Sequence, residues 1–392
     1  MRINTDPEKI KTLLSRNVDE VIDKDHLLRQ LNSGKELRVK LGIDPTSPNI
    51  HIGRAVLLWK LRAFQDLGHR VIFIVGDFTG IVGDTSDKDS ERPMLKESEV
   101  KKNLKTYLKQ AFKILDKKRI ETHFNSKWLK KLGFLEIGKM ADLFGLHEFE
   151  SRENIARRLK AGKRVSVREL LYPLMQGYDS VAVKADVELG GTDQRFNLLA
   201  GRTIQAAYGQ RPQDILMTTF PLEGTDGRKM SSSWGNVINI TDEPDNMFGS
   251  VMSAPDELVK KYFEMATNLS SEKINEAMKL KPIESKERLA FEITSLYHGE
   301  KSAKAAKKFF EETFRNRKLP EDIPAAFFTA GAALKDILMV SGAVSSVSAF
   351  RQLIKQKAIE IDQEIISDPN FKPDKAGIIR IGKKKFLKIA PK

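Results

Sequence analysis

The sequence predicts an α/β protein with a Rossmann-like, doubly wound parallel sheet, followed by an α-helical domain and a small α+β domain. Strand and helix patterns alternate over residues 36–115, which is typical of a parallel sheet covered by helices. Helical patterns then run almost unbroken over residues 244–317. With 392 residues the chain is too long for one compact core. We expect domains at residues 1–240, 241–325 and 326–392.

The first part of the chain supplies the alternation. Apolar residues alternate with their neighbours over Glu36–Ile43, which predicts a strand, and recur at helical spacing over His51–Leu67, which predicts a helix. Val71–Val75 is a continuous apolar run, as expected of a strand buried on both faces. Residues 76–92 predict a loop and Lys101–Leu115 a helix. Because ligands bind beyond the carboxyl ends of such strands, the loops after both strands are candidate ligand loops.

The rest of the chain is mainly helical in pattern. We expect a basic helix over Glu148–Leu174, a strand over Val181–Val187 and a helix over Thr192–Ala207. Two prolines in Leu319–Pro324 predict a linker. The remaining elements are short helices at Ala332–Val340 and Val347–Lys355 and strand-like pieces around Ile359, Ile378 and Phe386.

The charge of the chain favours an anionic partner. The formal net charge is +14, and residues 331–392 hold twelve Lys or Arg against six Asp or Glu. A charge run is usually only a solvated face, but an excess within one candidate domain favours RNA. The absence of cysteine excludes disulfides and thiolate metal sites, and six scattered histidines argue against any protein metal site.

The sequence shows no pattern of a secreted or membrane protein. Residues 1–20 are polar and charged, unlike a signal peptide, and no apolar run is long enough to span a bilayer. We therefore expect a cytoplasmic protein with no membrane partner.

The first candidate motif, Asp44-Pro-Thr-Ser-Pro-Asn-Ile-His51-Ile-Gly53-Arg54, joins the first predicted strand to the first predicted helix. Glycine lets backbone approach a phosphate closely, and a helix N-terminus favours negative charge. Thr46 and His51 can donate hydrogen bonds to phosphate oxygens. Taken alone, a His-x-Gly pattern is more often an ordinary helix start.

The second candidate motif is Gly227-Arg-Lys229-Met-Ser-Ser232-Ser233. Its glycine and serines give flexibility, and Lys229 supplies a mobile cation. By itself such a stretch is usually a surface loop. The occurrence of both motifs on either side of one α/β domain favours a nucleotide site over the two simpler interpretations.

The two motifs resemble the His-Ile-Gly-His and Lys-Met-Ser-Lys-Ser signatures of the class I aminoacyl-tRNA synthetases. Residues 172–179 (Tyr-Pro-Leu-Met-Gln-Gly-Tyr-Asp) and 189–194 (Leu-Gly-Gly-Thr-Asp-Gln) are similar to the bacterial-type tyrosyl-tRNA synthetase family in particular. The resemblance covers nearly the whole chain. It implies a tyrosine–tRNA ligase that makes tyrosyl-adenylate from L-tyrosine and ATP, then transfers tyrosine to the terminal ribose of tRNA(Tyr).

The same resemblance implies partners and cofactors. ATP is expected as a substrate with Mg²⁺ carried on its phosphates, with no tightly bound cofactor. The family forms homodimers, here through helices within Lys127–Leu159. Residues 244–320 resemble a helical domain that reaches toward the anticodon side of the tRNA. Residues 332–389 resemble a small basic RNA-binding domain first described in a small-subunit ribosomal protein.

Site residues are implied at the positions that match the family. The residues implied in catalysis are His51, Lys88, Arg92 and Lys229. Those implied in tyrosine binding are Asp84, Tyr172, Gln176, Asp179, Gln194 and Lys40. Those implied in ATP binding are Asp44, Thr46, His51, Gly53, Arg54, Gly191, Asp193, Lys229 and Ser232.

Helical spacing agrees with the tyrosine assignments. Tyr172 and Gln176 are four residues apart and Asp179 is three further on, so all three share one helix face. Asp179 would accept a hydrogen bond from the phenol. Phenylalanine would leave that buried group unpaired and would be refused, so we expect no editing domain.

Five positions depart from the family pattern. They are Arg54 for the second histidine of the first motif, Ser232 for the second lysine of the loop, Lys40 for a common phenol-binding tyrosine, Glu188 for a glutamine and Asp87 for a glycine. Lys40 and Glu188 would offset one another's charge if they met, which the sequence does not establish.

Three alternatives remain open at this point. A tryptophan synthetase of the same class is one, against which Asp179 and the Asp193–Gln194 pair argue. A synthetase-like RNA-binding protein without catalysis is another, favoured only by Arg54 and Ser232. A nucleotidyltransferase that shares the His-x-Gly loop is the third, but it would have no reason to carry the tyrosine-pocket residues.

Overall fold

A computed structural model describes residues 3–86, 93–219, 222–232, 234–315, 323–329, 331–356, 358–362, 364–382 and 385–391. The chain divides into two compact units. One consists of Met1–Asp242 with Ser250–Tyr297, and the other of Glu243–Gly249 with His298–Lys392. The division into three domains stays a prediction.

The first unit is built on a six-stranded mixed sheet. Its strands are β1 (Val18–Ile22), β2 (Arg38–Ile43), β3 (Arg70–Val75), β4 (Ile120–Phe124), β5 (Val187–Gly191) and β6 (Asp214–Thr218). Their spatial order is β1-β6-β5-β2-β3-β4. All neighbours run parallel except the edge strand β1, which is antiparallel to β6. The predicted α/β fold is confirmed, with an antiparallel edge strand that was not predicted.

Helices connect the strands and continue beyond them. Up to β6 they are α1 (Pro7–Ser15), α2 (Lys24–Asn32), α3 (Ile52–Asp66), α4 (Thr79–Val82), α5 (Glu97–Ala111), α6 (Ser126–Leu129), α7 (Phe134–Ala141), α8 (Leu146–Glu150), α9 (Glu153–Lys160), α10 (Val167–Val183) and α11 (Arg195–Ala207). After β6 come α12 (Pro244–Met252), α13 (Val259–Ala266), α14 (Ser271–Met278), α15 (Pro282–His298) and α16 (Glu300–Phe310). Within the described ranges, no helix combines the length and apolar character needed to cross a bilayer.

The order of the strands locates the crevice. β2, β3 and β4 follow one another across the sheet in one direction, whereas β5 and β6 lie on the other side of β2. The chain direction therefore reverses between β2 and β5, and ligands bind outside the carboxyl ends of strands at such a point. β5 and β6 are buried along their whole length, and β3 is buried apart from Arg70.

The predicted single helix over Glu148–Leu174 is wrong. This stretch contains the end of α8, all of α9 and the first half of α10. Gly162, with φ +64°, lies in the break between α9 and α10. Ser166 then caps α10, and Glu169 Oε1 accepts a hydrogen bond from Ser166 N at 3.0 Å. The sequence keeps a helical pattern across these helix ends, so the pattern did not reveal the break between α9 and α10.

The predicted strand over Val181–Val187 is also wrong, because α10 continues to Val183 and β5 begins only at Val187. Val181 packs in one cluster with Leu174 and Ile204, whereas Val183 packs in another with Ile72 and Ile74. A helix end buried on two sides thus reproduces the alternation of a strand.

The second unit ends in a small α+β fold. Its strands are β7 (Ala325–Phe328), β8 (Ile359–Ile361), β9 (Glu364–Ile365), β10 (Gly377–Ile381) and β11 (Lys385–Pro391), in the order β7-β11-β10-β8-β9, and its helices are α17 (Leu334–Val340) and α18 (Val347–Lys355). Its core includes Leu338, Phe350, Ile379 and Leu387. The predicted helices and strands are confirmed here. Residues 319–322 of the predicted linker lie outside the described residues.

Helices α10 and α11 approach each other closely at two glycines. A Cβ on Gly177 of α10 would lie 3.3 Å from the Cα of Gly201 in α11 and 2.6 Å from Ile204 Cδ1. Helix α10 carries Tyr172, Gln176 and Asp179, so this packing positions the predicted tyrosine-binding face.

We expect Gly177→Ala to destabilise the protein by about 1–3 kcal/mol, because the added methyl group overpacks the contact with α11. Thermal unfolding would measure the change. Gly138→Ala in α7 is the matched control, since a Cβ there meets no atom within 4 Å. Removing a mid-helix glycine at that site should stabilise by about 0.5–1 kcal/mol. Equal melting temperatures for the two variants would contradict the packing argument.

Candidate active site

Three loops follow parallel strands around the point of reversal. β2 leads into residues 44–51, β3 into residues 76–86, and β5 into the 3₁₀ turn Thr192–Gln194. Helix α10 contacts the first two, since Tyr172 OH donates to Asp44 Oδ2 and Arg168 donates to Val82 O. These segments hold six of the predicted site residues: Asp44, Thr46, His51, Asp84, Asp193 and Gln194.

Asp44, the first residue after β2, is held by two hydroxyl groups. Tyr172 OH donates to its Oδ2 at 2.9 Å and Thr79 Oγ1 to its Oδ1 at 2.7 Å. A Cβ on Gly76 would overlap Asp44 Oδ1 and Thr79 Oγ1, so a larger residue there would displace these two side chains. Burial, with the nearby carboxylates, raises the pKa of Tyr172 well above its ordinary value. Its hydroxyl therefore stays protonated and keeps lone pairs for a second partner.

His51 caps helix α3 and is almost fully buried. Its Nδ1 accepts a hydrogen bond from Arg54 N at 3.3 Å. Burial first, and then the charges of Arg54 and Lys229, lower the pKa of His51 from 6.5 to about 3. The ring is neutral at pH 7, and because Nδ1 accepts, the proton is on Nε2. His51 thus acts as a hydrogen-bond donor and not as a cation.

The other residues of the first motif form a compact loop. Thr46 N donates to Asp44 O at 2.8 Å, and Arg54 Nη1 donates to Ser47 Oγ at 3.3 Å. A Cβ on Gly53 would lie only 3.2 Å from His51 Nδ1. The arginine that replaces the family histidine is therefore bonded within its own loop.

Backbone hydrogen bonds join the first motif to the segment that follows the second. Ile52 N donates to Ile238 O and Ile240 N donates to Ile50 O, both at 2.9 Å. This pairing brings the second motif close to the first, which agrees with the effect of the Lys229 charge on His51.

One buried amide, that of Asn236, organises the second motif. Its Oδ1 accepts from Ser231 N at 2.9 Å, while its Nδ2 donates to Lys229 O at 3.0 Å and to Asp226 Oδ1 at 2.7 Å. The backbone at Lys229 and just after it is therefore hydrogen-bonded to Asn236. The flexibility expected of this loop stays a prediction. Ser232 lies beyond this anchor and is exposed.

A continuous hydrogen-bond network joins three predicted site residues, Asp84, Gln176 and Gln194, through the neighbouring Asn197. Gln194 Nε2 donates to Asp84 Oδ2 at 2.7 Å. Asn197 Nδ2 donates to Gln194 Oε1 at 3.0 Å and to Gln176 Oε1 at 3.2 Å. Asn197 is fully buried, and its Oδ1 has no hydrogen-bond partner among the described residues. The network joins the loop after β3, the turn after β5 and helix α10.

Asp179 is buried and bonded by two neutral donors. Trp128 Nε1 donates to its Oδ1 at 2.7 Å and Asn125 Nδ2 to its Oδ2 at 3.2 Å. Burial raises the pKa of Asp179 from 3.8 to about 7, against the opposing effects of Lys40 and these two hydrogen bonds. The carboxylate is therefore only partly compensated by the protein and suits an additional donor.

Lys40 and Glu188 do meet. They are register partners on β2 and β5, and Lys40 Nζ lies 2.9 Å from Glu188 Oε1. Lys40 was expected to line the tyrosine site, but its ammonium faces Glu188, Ser180 Oγ at 2.7 Å and Gln176 O at 3.0 Å. The Lys40 ammonium thus bonds protein groups that lie next to the predicted tyrosine-binding residues.

The remaining predicted residues are placed as follows. Gly191 ends β5 and is buried, and Asp193 lies in the 3₁₀ turn that follows. Lys88 and Arg92, predicted to contact the leaving pyrophosphate, lie outside the described residues, as does Asp87.

One cluster among the described residues has the geometry to hold a metal ion: Asp23, His26 and Asp214. His26 Nδ1 already bonds Asp214 Oδ2 at 2.7 Å, and Arg211 lies 3.8 Å from both Asp23 and Asp214. The nearby guanidinium already supplies positive charge to both carboxylates.

Sequence reasoning missed four site residues: Asn125, Trp128, Asn197 and Asn236. Each acts through a hydrogen bond to a residue distant in sequence or through a backbone contact, so no local motif marks it. The nearest signal was positional, because Asn125 follows the last residue of β4 and Asn197 comes three residues after Gln194.

Comparisons with known proteins identify the family of the chain. The family "tRNA synthetases class I (W and Y)" matches residues 32–315. A tyrosine–tRNA ligase from Thermotoga maritima is 46% identical, with 98% of each chain covered, and one from Carboxydothermus hydrogenoformans is 46% identical, with 96% of each covered. The chain belongs to the tyrosine–tRNA ligases. It is an enzyme of class I that joins tyrosine to tRNA with ATP as a substrate.

Solved structures support the fold of this ligase. The tyrosyl-tRNA synthetase of Archaeoglobus fulgidus, complexed with L-tyrosine, aligns with a TM-score of 0.61 at 23% identity, covering 76% of this chain and 99% of that one. A C-terminally truncated mitochondrial enzyme of Aspergillus nidulans aligns with a TM-score of 0.64 at 23% identity, covering 78% and 93%. The "S4 domain" family matches residues 334–377, within the small α+β fold.

Burial of Asp179 predicts an unusual pH dependence of stability. A carboxyl group whose folded-state pKa is raised contributes stability that is fully present below its unfolded pKa of 3.8 and is lost as the pH rises through about 7. We therefore expect Asp179→Asn to melt higher than wild type at pH 8, by several degrees, with the difference shrinking toward pH 5.

Differential scanning fluorimetry of both proteins between pH 5 and pH 8 would measure this difference. Asp66→Asn is the control, because it makes the same substitution at an exposed carboxylate. A difference for Asp179→Asn that stays constant or widens at low pH would contradict the prediction.

Proposed function

We propose that the crevice at the carboxyl ends of β2 and β5 is where this ligase makes tyrosyl-adenylate, before it transfers tyrosine to the terminal ribose of tRNA(Tyr). The observation that carries the proposal is the network of Asp84, Gln194, Asn197 and Gln176. It presents carboxylate and amide oxygens, which suit an ammonium group, at the reversal point of the sheet.

The proposed tyrosine site binds both the amino-acid end and the phenol end of the substrate. Asp84, Gln176 and the Tyr172 oxygen accept hydrogen bonds from the ammonium. Asp179 accepts one from the phenol, which supplies the donor that its raised pKa indicates. Gln194 holds the carboxylate that reacts. Phenylalanine would bury Asp179 without that donor and would be refused.

The proposed reaction has one displacement in its first step. A carboxylate oxygen of tyrosine attacks the α-phosphorus of ATP, the bond from that phosphorus to the β-bridging oxygen breaks, and pyrophosphate leaves with the electron pair. Negative charge develops on the phosphate oxygens. His51, through Nε2–H, and Lys229, through its ammonium, are the donors proposed to stabilise that charge. Asn236 bonds the backbone oxygen of Lys229 and so fixes where its side chain begins.

The rest of the ATP site follows from the family positions. Lys88 and Arg92 are proposed to contact the pyrophosphate. The residues proposed to hold the nucleotide are Asp44, Thr46, Gly53, Arg54, Gly191, Asp193 and Ser232. Mg²⁺ is proposed to arrive on the ATP phosphates, since it retains water and binds few protein ligands in such sites.

The proposed RNA partner is tRNA(Tyr), bound in part by the small α+β fold. Residues 331–392 carry an excess of positive charge, and an S4 domain matches residues 334–377. Basic faces of this kind bind folded RNA through phosphates and shape. The proposal includes a cytoplasmic location, where charged tRNA is used in translation.

The proposed assembly is a homodimer. Phe134 and Leu135 in α7 are 94% and 75% exposed, and Leu146 in α8 is 62% exposed, so the chain presents large apolar side chains within the predicted interface Lys127–Leu159. Clusters of exposed apolar side chains mark interaction surfaces.

We expect wild-type protein to catalyse ATP–pyrophosphate exchange with tyrosine but not with phenylalanine or tryptophan, and Lys229→Ala to lower that exchange at least about 100-fold through loss of charge stabilisation. Lys101→Ala, at an exposed lysine of α5, is the control and should retain full exchange. Near-normal exchange in Lys229→Ala would contradict the role given to this residue. RNA binding without any exchange by the wild type would favour the non-catalytic alternative.

We expect Phe134→Asp to convert the dimer to a monomer, because it places a charge at an apolar interface. Light scattering after gel filtration would report the mass. Ile283→Asp, at an exposed apolar position of α15 outside the proposed interface, is the control and should leave the dimer intact. A wild-type protein of monomeric mass would refute the proposed assembly.

A further inference from the structure

The buried ion pair of Lys40 and Glu188 is unusual for its position. Their side chains are 0% and 1% exposed, at the register contact between β2 and β5. Burying two charges is often no more stabilising than burying apolar groups of the same size. A contribution to folding stability therefore does not explain the pair. The residues that it contacts are a better guide to its role.

All the hydrogen-bonding groups of the pair are engaged by the protein. Lys40 has three N–H groups, and its Nζ faces Glu188 Oε1, Ser180 Oγ and Gln176 O. Glu188 Oε2 accepts from Ser180 Oγ at 3.1 Å and from Gln213 Nε2. Glu188 Oε1 also accepts from Gln176 Nε2 at 3.2 Å. The pair thus contacts both the backbone and the side chain of Gln176.

The hydrogen bond from Gln176 Nε2 to Glu188 Oε1 determines the orientation of the Gln176 amide. Glu188 Oε1 is an acceptor that already pairs with the Lys40 ammonium, so it faces the Nε2 end of the amide. The Oε1 end must then point the other way, where it accepts from Asn197 Nδ2 at 3.2 Å. Asn197 in turn donates to Gln194, and Gln194 donates to Asp84, so each link of the network has a fixed direction.

We propose that the Lys40–Glu188 pair is a positioning device that keeps the Gln176 carbonyl oxygen directed toward the tyrosine ammonium. Lys40 Nζ pairs with Glu188 Oε1, and the same oxygen holds the Nε2 end of Gln176. In this proposal both residues act through Gln176 and not by contact with the substrate, which replaces the direct role that the family position implied for Lys40. This inference rests on the proposed function, since it gives a role in tyrosine binding to residues beneath that site.

With a glutamine at position 188, the orientation of the Gln176 amide would no longer be fixed. Its side chain offers both a donor and an acceptor, so the Gln176 amide can bond to it in either orientation. In the flipped orientation Gln176 presents N–H groups to the ammonium, and a hydrogen bond to a charged group is replaced by repulsion. The effect should fall on the amino end of tyrosine and leave ATP binding unchanged.

The test uses two variants of the full chain, Glu188→Gln and Lys40→Met/Glu188→Gln. The second variant removes both charges, so neither is left buried alone. Each would be assayed by tyrosine-dependent ATP–pyrophosphate exchange. We expect the KM for tyrosine to rise about tenfold in both, while kcat and the KM for ATP change less than about twofold. Glu20→Gln, in an exposed ion pair with Arg195, is the matched control and should change neither.

Two competitive inhibitors separate positioning from general distortion of the pocket. Tyrosinol retains the amine, whereas 3-(4-hydroxyphenyl)propionate lacks it. In both variants the inhibition constant of tyrosinol should rise about tenfold and that of the propionate should stay within about twofold. An equal rise for both inhibitors, or an unchanged KM for tyrosine in folded variants, would overturn the inference. Absence of tyrosine-dependent exchange in the wild type would instead overturn the proposed function.

Discussion

The parallel pairing of β2 with β5 is the constraint on which the rest of the site depends. Side chains opposite one another on neighbouring strands point to the same face, so the register places Lys40 against Glu188 in the interior. Because each charge neutralises the other, both can be buried there. The same pair bonds Ser180 and Gln176 and so fixes α10 over the strands, whose carboxyl ends carry the substrate loops.

Charge in this pocket is unevenly matched. Two buried carboxylates, Glu188 and Asp179, lie near one buried ammonium, that of Lys40, and the direct contact belongs to Glu188. Among the residues that the structure describes, the hydrogen bonds to Asp179 come from two neutral donors, Trp128 and Asn125. A polar substrate group is worth more at such a carboxylate than at a fully compensated one. The fold therefore keeps part of its potential hydrogen bonding in reserve for the ligand.

Sequence periodicity was sufficient to predict β2, α3, β3 and the helical region after β6, because each has one dominant buried face or is buried throughout. It failed at α10, where Val181 and Val183 pack into different clusters and imitate a strand. The family motifs implied the site residues, whose roles stay predictions. They did not predict Asn197 or Asn236, whose roles arise from contacts across the fold, nor the pairing of Lys40 with Glu188, which requires the order of strands in the sheet.

The buried pair also limits how this sequence can diverge. A single replacement of Lys40 by an uncharged residue leaves a carboxylate in the interior, and a single replacement of Glu188 leaves an ammonium there. Either intermediate is at a disadvantage, although a protein with neither charge need not be. The two positions, 148 residues apart in the chain, are therefore expected to change together in evolution. A lineage is expected to keep both charges or to exchange both.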